Sequence, residues 1–406
     1  MSTIFLSTHA LLRSVAAEPR RGICGKTVFF GVAGEARAVL FPFFCIGFRF
    51  NMLETPDIPL DSAQEIIVPV ERLTELLVKI YVRKGMLDVD AELVAARQVE
   101  ADLRGIHSHG SRATPKYLAA IDAGDIDPCG QVETIKRTPA IAVMDGGRAM
   151  GHVASTRAMQ LAIELARGVG TGTVAVRNSQ HFGAASVYSL MAAHAGMIGY
   201  CTTSTGYASV AAYGSRQAAV ANNAFAWAAP TRTGAPFCLD MACAVAAWGK
   251  VQSLGMYGQP LPLGWALDVA GNATTDPQAA KTMLPAAGAR GYGLAFLSSI
   301  LAGPLVGGKM PLHKTKSPEN EGTEHFFYAI DVVQFVEPDR FHDEIEKTIH
   351  DIHALTPAEG FDRIALPGEL EWERSQRWQR DGIPLHRDHL RDLGAAATKL
   401  EIPLPW

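Results

Sequence analysis

Residues 173–203 read as strand, polar elbow, helix, strand, and that succession is where the chemistry of the chain is expected. Thr173-Val-Ala-Val176 alternates and branches as a half-buried strand does. Ala184 to Ala195 carries small and apolar residues at helical spacing, and Met197 to Thr203 is extended again. Arg177-Asn-Ser-Gln-His-Phe-Gly183 joins the first strand to the helix. His181 on this elbow is held by two rigid elements yet faces an opening, the placement of a group that exchanges one proton near neutral pH. A structural histidine packed beside Tyr188 is the competing reading of the same residue.

A chain of 406 residues, 48% hydrophobic and 19% charged, has room for two or three domains with sizeable cores. Its formal charge of −4 gives no polyanion-binding surface, so nucleic acid is not an expected partner. Six cysteines (Cys24, Cys45, Cys129, Cys201, Cys238, Cys243) form no CxxC pair, which argues against a zinc knuckle and a disulfide scaffold and for a reducing, cytoplasmic compartment. The apolar run 38–48 is shorter than the roughly 20 residues that span a bilayer, so no membrane association is expected. Residues 1–51 set Arg13, Arg20, Arg21, Lys26, Arg37 and Arg49 against Glu18 and Glu35, a balance shared with organelle presequences. The preferred reading is an upstream extension, residues 1–62, that adds nothing to the fold.

Along the chain, Val68, Val70, Leu73, Leu76, Leu77, Ile80 and Tyr81 predict an amphipathic helix from about Ile67. Asp90 is placed to cap a second helix, Ala91 to Leu103. His107-Ser-His-Gly-Ser-Arg112 follows it, and the two imidazoles share one side if this loop is extended. Three readings compete there: a metal site, for which no carboxylate or thiolate stands nearby; a capping turn; and recognition of a substrate carboxylate by His109 and the planar fork of Arg112. A helix over 154–167 ends at Gly168, Gly170 and Gly172, which serve as a left-handed cap and not as a phosphate loop. Neither GxGxxG nor GxxxxGK[ST] occurs, so any nucleotide binds without either standard loop.

Farther on, Ser204-Thr205-Gly206 offers hydroxyls to phosphate or ribose. Asp240 either caps a helix running to Lys250 or sets a carboxylate beside a cofactor. Residues 265–275 predict a hairpin or tight turn. In Leu284 to Gly293, Arg290 stands near the start of a helix over 294–302, where a cation opposes the dipole unless an anion lies between them or the side chain faces solvent. Residues 326–335 are strand-like, 339–355 form an amphipathic helix, and two polar, peripheral helices follow Pro367-Gly368-Glu369.

Together, Arg104-Gly-Ile-His-Ser-His-Gly110, the NSQHFGAAS elbow, Asp240-Met-Ala with Ala247-Trp-Gly-Lys-Val251, Thr274-Thr-Asp-Pro277 and Leu284 to Leu294 resemble the malate/L-lactate dehydrogenase family, which lacks a Rossmann fold. The pattern looks most like its ureidoglycolate-oxidising branch, over roughly residues 65–375. The resemblance implies an α/β fold with a mixed-sheet NAD(P)-binding domain (139–335), a helical, substrate-side domain from both chain ends (63–138 with 336–406), and a homodimer. It implies NAD- or NADP-dependent oxidation of a small 2-hydroxy acid such as malate, lactate or ureidoglycolate. His181 falls on the acid/base histidine, His109 on the substrate-side histidine, and Thr205 on a hydroxyl position near the cofactor. Asp240, Met241 and Ala242, with Gly368, Glu369 and Leu370, match cofactor-contacting stretches, and Arg290 stands where lysine is commoner.

One departure bears on the substrate. The family arginine falls at Ala113 here, and Arg112 is one residue early, about 100° around a helix. Three rivals stay open: a reductase of cyclic imino acids or keto sugar acids on the same scaffold, a non-catalytic homologue, and a hydrolase. For the last, Ser179 precedes His181 by two residues, but no GxSxG accompanies it.

Overall fold

The computed structural model describes residues 62–204, 206–314 and 322–405, so the extension is essentially outside the described residues, as is Thr205. The chain runs through β1 (Glu65–Val68), α1 (Val70–Arg83), α2 (Asp88–Leu103), 3₁₀ turns at His107–His109 and Ser111–Ala113, and α3 (Thr114–Asp122). Next come β2 (Glu133–Arg137), β3 (Ile141–Asp145), α4 (Gly151–Val169), β4 (Thr171–Ser179), α5 (Ser186–His194) and β5 (Met197–Ser204). Then follow β6 (Val210–Ala211), β7 (Ala218–Val220), β8 (Ala224–Ala229), β9 (Phe237–Ala242), α6 (Trp248–Met256), β10 (Ala266–Leu267), β11 (Ala273–Thr274) and β12 (Thr282–Met283). The chain ends through α7 (Ala289–Leu301), β13 (Thr323–Asp331), α8 (Pro338–His353), α9 (Glu369–Asp381), β14 (Ile383–His386) and α10 (Arg387–Lys399).

The main sheet has the order β2-β3-β4-β13-β5-β8-β9. Only β3 and β4 pair in parallel, so the sheet is mixed, unlike the parallel sheet of a Rossmann fold. β13 lies between β4 and β5 and is antiparallel to both. The βαβ unit read from the sequence is therefore real, with a late strand inserted into it. Val174 and Val176 bury against Ala154, Ala158, Ala162 and Ala166 of α4, whose small side chains let the helix lie close to the sheet. A second sheet, β11-β10-β12-β6-β7, contains the expected hairpin at β10 and β11 and shares its core with α6 and α7.

The first and last elements of the described residues meet in a third core. β1 pairs antiparallel with β14, and Leu73, Leu77 and Ile80 of α1 pack with Trp378 of α9 and Leu390 and Leu393 of α10. The last two helices are thus not peripheral, because a narrow apolar stripe is enough to bury one face of a strongly charged helix. The first helix starts at Val70, not Ile67: Pro69 drives the preceding residue into extended backbone, and Val68 ends a strand. Asp90 does not cap α2. It lies inside the first turn, buried, with Arg157 of α4 at 2.6 Å. β9 runs through Met241 and Ala242 while α6 begins only at Trp248, so Asp240 caps no helix there. The run Ala289–Val306, α7 with the 3₁₀ turn after it, is long and apolar enough to cross a membrane by length and composition only, yet α7 buries Gly291, Ala295, Ser298 and Ser299 inside the fold. Leu294, Phe296, Leu297 and Ile300 are exposed.

Candidate active site

The elbow that bears His181 is pinned from below. His325 on β13 lies with Nε2 3.1 Å from Ser179 Oγ and 3.0 Å from the Gln180 carbonyl, while its Nδ1 meets Thr203 Oγ1 at 2.8 Å. Phe182 stacks on the same ring, with centroids 5.0 Å apart and planes 7° from parallel. Burial takes the His325 pKa to about 3, so the ring is a neutral strut. At the far end of the elbow the Asp240 carboxylate accepts the Ser186 backbone N–H at 2.9 Å, satisfying a free donor at the start of α5. Burial raises the Asp240 carboxyl above its usual range. Tyr188, the expected neighbour of a merely structural His181, instead donates its hydroxyl to the Phe182 carbonyl.

His181 itself is half-buried. Its Nδ1 lies 2.7 Å from the Tyr117 hydroxyl. The His109 ring lies alongside, with centroids 5.5 Å apart and planes 29° from parallel. Burial holds the His181 pKa well below 6.5, with the Lys116 charge and the neighbouring imidazoles acting in the same sense. Burial also takes His109 to about 4, helped by Arg112 and Lys116. Both rings are therefore neutral at neutral pH. Ser108 Oγ meets His109 Nδ1 at 2.8 Å.

The HSHG segment is not extended. Its 3₁₀ turn rotates each residue by about 120°, so side chains two apart diverge. His107 turns inward, with Nδ1 2.8 Å from the buried Asp102 carboxylate and its ring stacked on Trp378 at 5.6 Å. Asp102 also accepts the Ser111 N–H at 2.8 Å, so one carboxylate fixes the whole turn and leaves His109 toward His181. Arg112 does not stand free as a carboxylate fork. Its Nη1 donates to Ser253 Oγ at 2.7 Å and its Nη2 to the Gly249 carbonyl at 2.8 Å, both on α6. Gly249 permits this approach, since a Cβ there would lie 2.1 Å from Ser108 Cβ.

The chain that carries this site is similar to known proteins over most of its length. The family model described as malate/L-lactate dehydrogenase matches residues 68–394. The chain belongs to the malate/L-lactate dehydrogenase family. It is 34% identical to a malate dehydrogenase of Pyrococcus horikoshii over 83% of this chain and 96% of that one. It is 35% identical to an L-sulfolactate dehydrogenase of Methanocaldococcus jannaschii (82% and 97% covered) and 31% identical to an NAD(+)-dependent ureidoglycolate dehydrogenase of Escherichia coli (78% and 92%). The solved Pyrococcus horikoshii malate dehydrogenase superposes with a TM-score of 0.77 at 33% identity, covering 84% of this chain and 97% of that one. A Δ1-piperideine-2-carboxylate reductase of Pseudomonas syringae superposes at 0.73 and 27% identity, with 82% and 100% covered.

The remaining stretches singled out in the sequence lie on other elements. β9, an edge strand, carries Asp240, Met241 and Ala242. Beside it runs the segment before α9: Cys238 N–H donates to the Pro367 carbonyl at 3.0 Å, and a Cβ on Gly368 would lie 2.7 Å from Cys238 Cβ. Glu369 turns its Oε2 to the Leu366 N–H at 2.8 Å and His353 Nε2 at 3.1 Å, while Leu370 is exposed. Arg290 is exposed in the first turn of α7, which has no side-chain cap. Among the described residues no group of three or more His, Cys, Asp or Glu is set to hold a metal ion. Sequence reasoning missed Tyr117, Lys116, His152 and His325. Only Tyr117 and Lys116 had a signal, as polar residues on the helix that directly follows the HSHG turn.

Proposed function

We propose that this enzyme oxidises a small 2-hydroxy acid to the 2-oxo acid with NAD or NADP, His181 taking the hydroxyl proton. The observation that carries the reading is the Tyr117 hydroxyl, 2.7 Å from Nδ1 of a half-buried imidazole that burial keeps neutral. A general base needs its lone pair on Nε2, so Nδ1–H is to be donated to the Tyr117 oxygen in preference to Nδ1 accepting the Gly183 N–H that lies 3.4 Å away. The bound nicotinamide would accept the hydride from the carbinol carbon as the hydroxyl proton passes to His181 and the C=O bond forms. His109, whose ring lies alongside that of His181 with centroids 5.5 Å apart, would donate from Nε2 to the substrate carboxylate. Lys116, exposed and within electrostatic range of both rings, is the cation best placed to offset its charge. Arg112 is a structural tie to α6, with Nη1 donating to Ser253 and Nη2 to Gly249.

Features of the chain fit a dinucleotide. Ser204 Oγ, at the end of β5, is buried without a hydrogen-bond partner beside Thr205 and Gly206. Arg290 at the uncapped start of α7 suits a pyrophosphate. Met241, Ala242 and the 368–370 segment converge at β9 as a second contact region. The exposed apolar stripe on α7 supports a homodimer, because monomers rarely expose an apolar patch above a few hundred Å². Cys129, Cys201, Cys238 and Cys243 are unpaired, in keeping with a reducing cytoplasm.

The test is a panel of malate, lactate, sulfolactate and ureidoglycolate, each with NAD+ and NADP+, followed by nicotinamide absorbance. Turnover of at least one acid is expected, and none would overturn the reading. The resemblance to the piperideine-carboxylate reductase makes the cyclic imine plus NAD(P)H the second arm. Turnover there alone would replace the 2-hydroxy acid by an imino acid on the same scaffold.

A further inference from the structure

We propose that His152 is a positioning residue for the acid–base histidine, holding the Tyr117 hydroxyl in place against His181; the proposal rests on the dehydrogenase reading of that site. His152 is the second residue of α4 and is 1% exposed. Its ring meets Tyr117 edge to face, with centroids 5.3 Å apart and planes at 86°. On its other side lies the elbow. A Cβ built on Gly183, whose φ is +79°, would lie 2.5 Å from His152 Nε2, so glycine alone lets the chain pass this close to the ring. The preceding residue, Gly151, brings the start of α4 against the carbonyls of Gln180 and His181, at 2.1 and 2.4 Å from where its Cβ would stand. One side chain thus touches both the phenol that contacts His181 and the backbone that carries His181. Those are the two bodies whose separation sets the 2.7 Å hydrogen bond.

Packing alone does not explain an imidazole here. Both ring nitrogens of His152 are buried without a hydrogen-bond partner. Stranded polar atoms lower stability, so an imidazole buried between the phenol and the elbow points to a role in the neighbouring site. Burial takes its pKa to about 3, so it adds no charge beside His181. It adds a fixed dipole on the Tyr117 ring. By fixing the phenol, it holds the acceptor that favours the Nδ1–H tautomer, and with it the Nε2 lone pair, over the competing Gly183 N–H 3.4 Å from Nδ1, as outer hydrogen-bond partners do for catalytic and metal-bound histidines.

The experiment compares His152→Phe, His152→Gln, Tyr117→Phe and His181→Gln in the full chain. ¹⁵N-histidine NMR, without substrate, reads the His181 tautomer, assigned by the signal lost in His181→Gln. Steady-state kinetics with malate and NAD+ read the consequence. Wild type is expected to show one His181 tautomer and His152→Phe a mixture. kcat should fall at least tenfold in His152→Phe while KM for malate moves less than threefold, and His152→Gln should recover part of kcat. In the Tyr117→Phe background, His152→Phe should have no further effect. An unchanged tautomer in His152→Phe, or losses that add to those of Tyr117→Phe, overturns the proposal. If His152→Phe does not fold, the tautomer in His152→Gln decides in the same way. Full activity of His181→Gln overturns the dehydrogenase reading instead, and the NMR comparison, which needs no turnover, still judges His152.

Discussion

The imidazoles of His109 and His181 lie with ring centres 5.5 Å apart and planes 29° from parallel, although one follows α2 and the other follows β4. Two rings this close, partly withdrawn from water, cannot both carry a proton near neutral pH. The His109 pKa is about 4 and that of His181 lies well below 6.5. A base acts in its unprotonated form, so kcat/KM for oxidation should be flat through neutral pH and fall only at a pH well below 6.5. Reduction needs the protonated ring, so its kcat/KM should fall as pH rises through the same value. The bound carboxylate stabilises the imidazolium and should move the limb seen in kcat to higher pH. Profiles in both directions check this, and an acid limb of kcat/KM near or above 6.5 would contradict the burial argument.

His181→Gln should keep dinucleotide binding and lose about 10²–10⁴-fold in kcat, the usual contribution of a positioned general base. Tyr117→Phe removes the nearer of the two partners of Nδ1 and leaves the Gly183 N–H. It should lose less, with the loss in kcat and not in KM. Fluorescence titration of NADH beside steady-state kinetics separates binding from turnover.

The elbow was legible because its evidence is local: a two-residue alternation, a polar break and a helical run all lie within residues 173–203. The orientation of the HSHG imidazoles was not, because it depends on a 3₁₀ turn held by Asp102 and Trp378, one on α2 and the other on α9. Asp240 misled for a similar reason. It precedes small residues that look like a helix, but the helix end its carboxylate satisfies is that of α5. His152 and His325 had no signal, since each is a lone histidine whose function exists only where α4 or β13 meets the elbow.

Stability should decline in mild acid. His152, His325 and His389 are buried, and burial lowers each pKa from 6.5 to about 3. Below pH 6.5 the unfolded chain binds protons that the native chain refuses, so stability falls as pH drops toward 3, by up to about 1.4 kcal/mol per pH unit for each such group. Urea midpoints between pH 7.5 and 4.5 check the slope. His152→Phe should make it shallower.

Arg112→Ala removes the hydrogen bonds to Ser253, Met256 and Gly249 of α6 and leaves the Gly249 carbonyl without that donor. A loss of about 1–3 kcal/mol in unfolding free energy is expected. Denaturant melts measure it directly. A variant as stable as wild type but with a greatly raised KM would return Arg112 to the substrate.

Leu297 is 51% exposed at the middle of α7, in line with Leu294 and Ile300 on the outer face. A stripe of this kind on a two-fold axis meets its own copy, so each substitution counts twice in the interface. Leu297→Glu places two carboxylates against each other there and removes the apolar contact on both sides. The wild-type chain should sediment at twice the chain mass and Leu297→Glu as a monomer, with unchanged circular dichroism because Ala295, Ser298 and Ser299 still seat the helix. A wild-type chain that sediments as a monomer at every concentration, or a Leu297→Glu dimer as tight as wild type, would remove α7 from the interface.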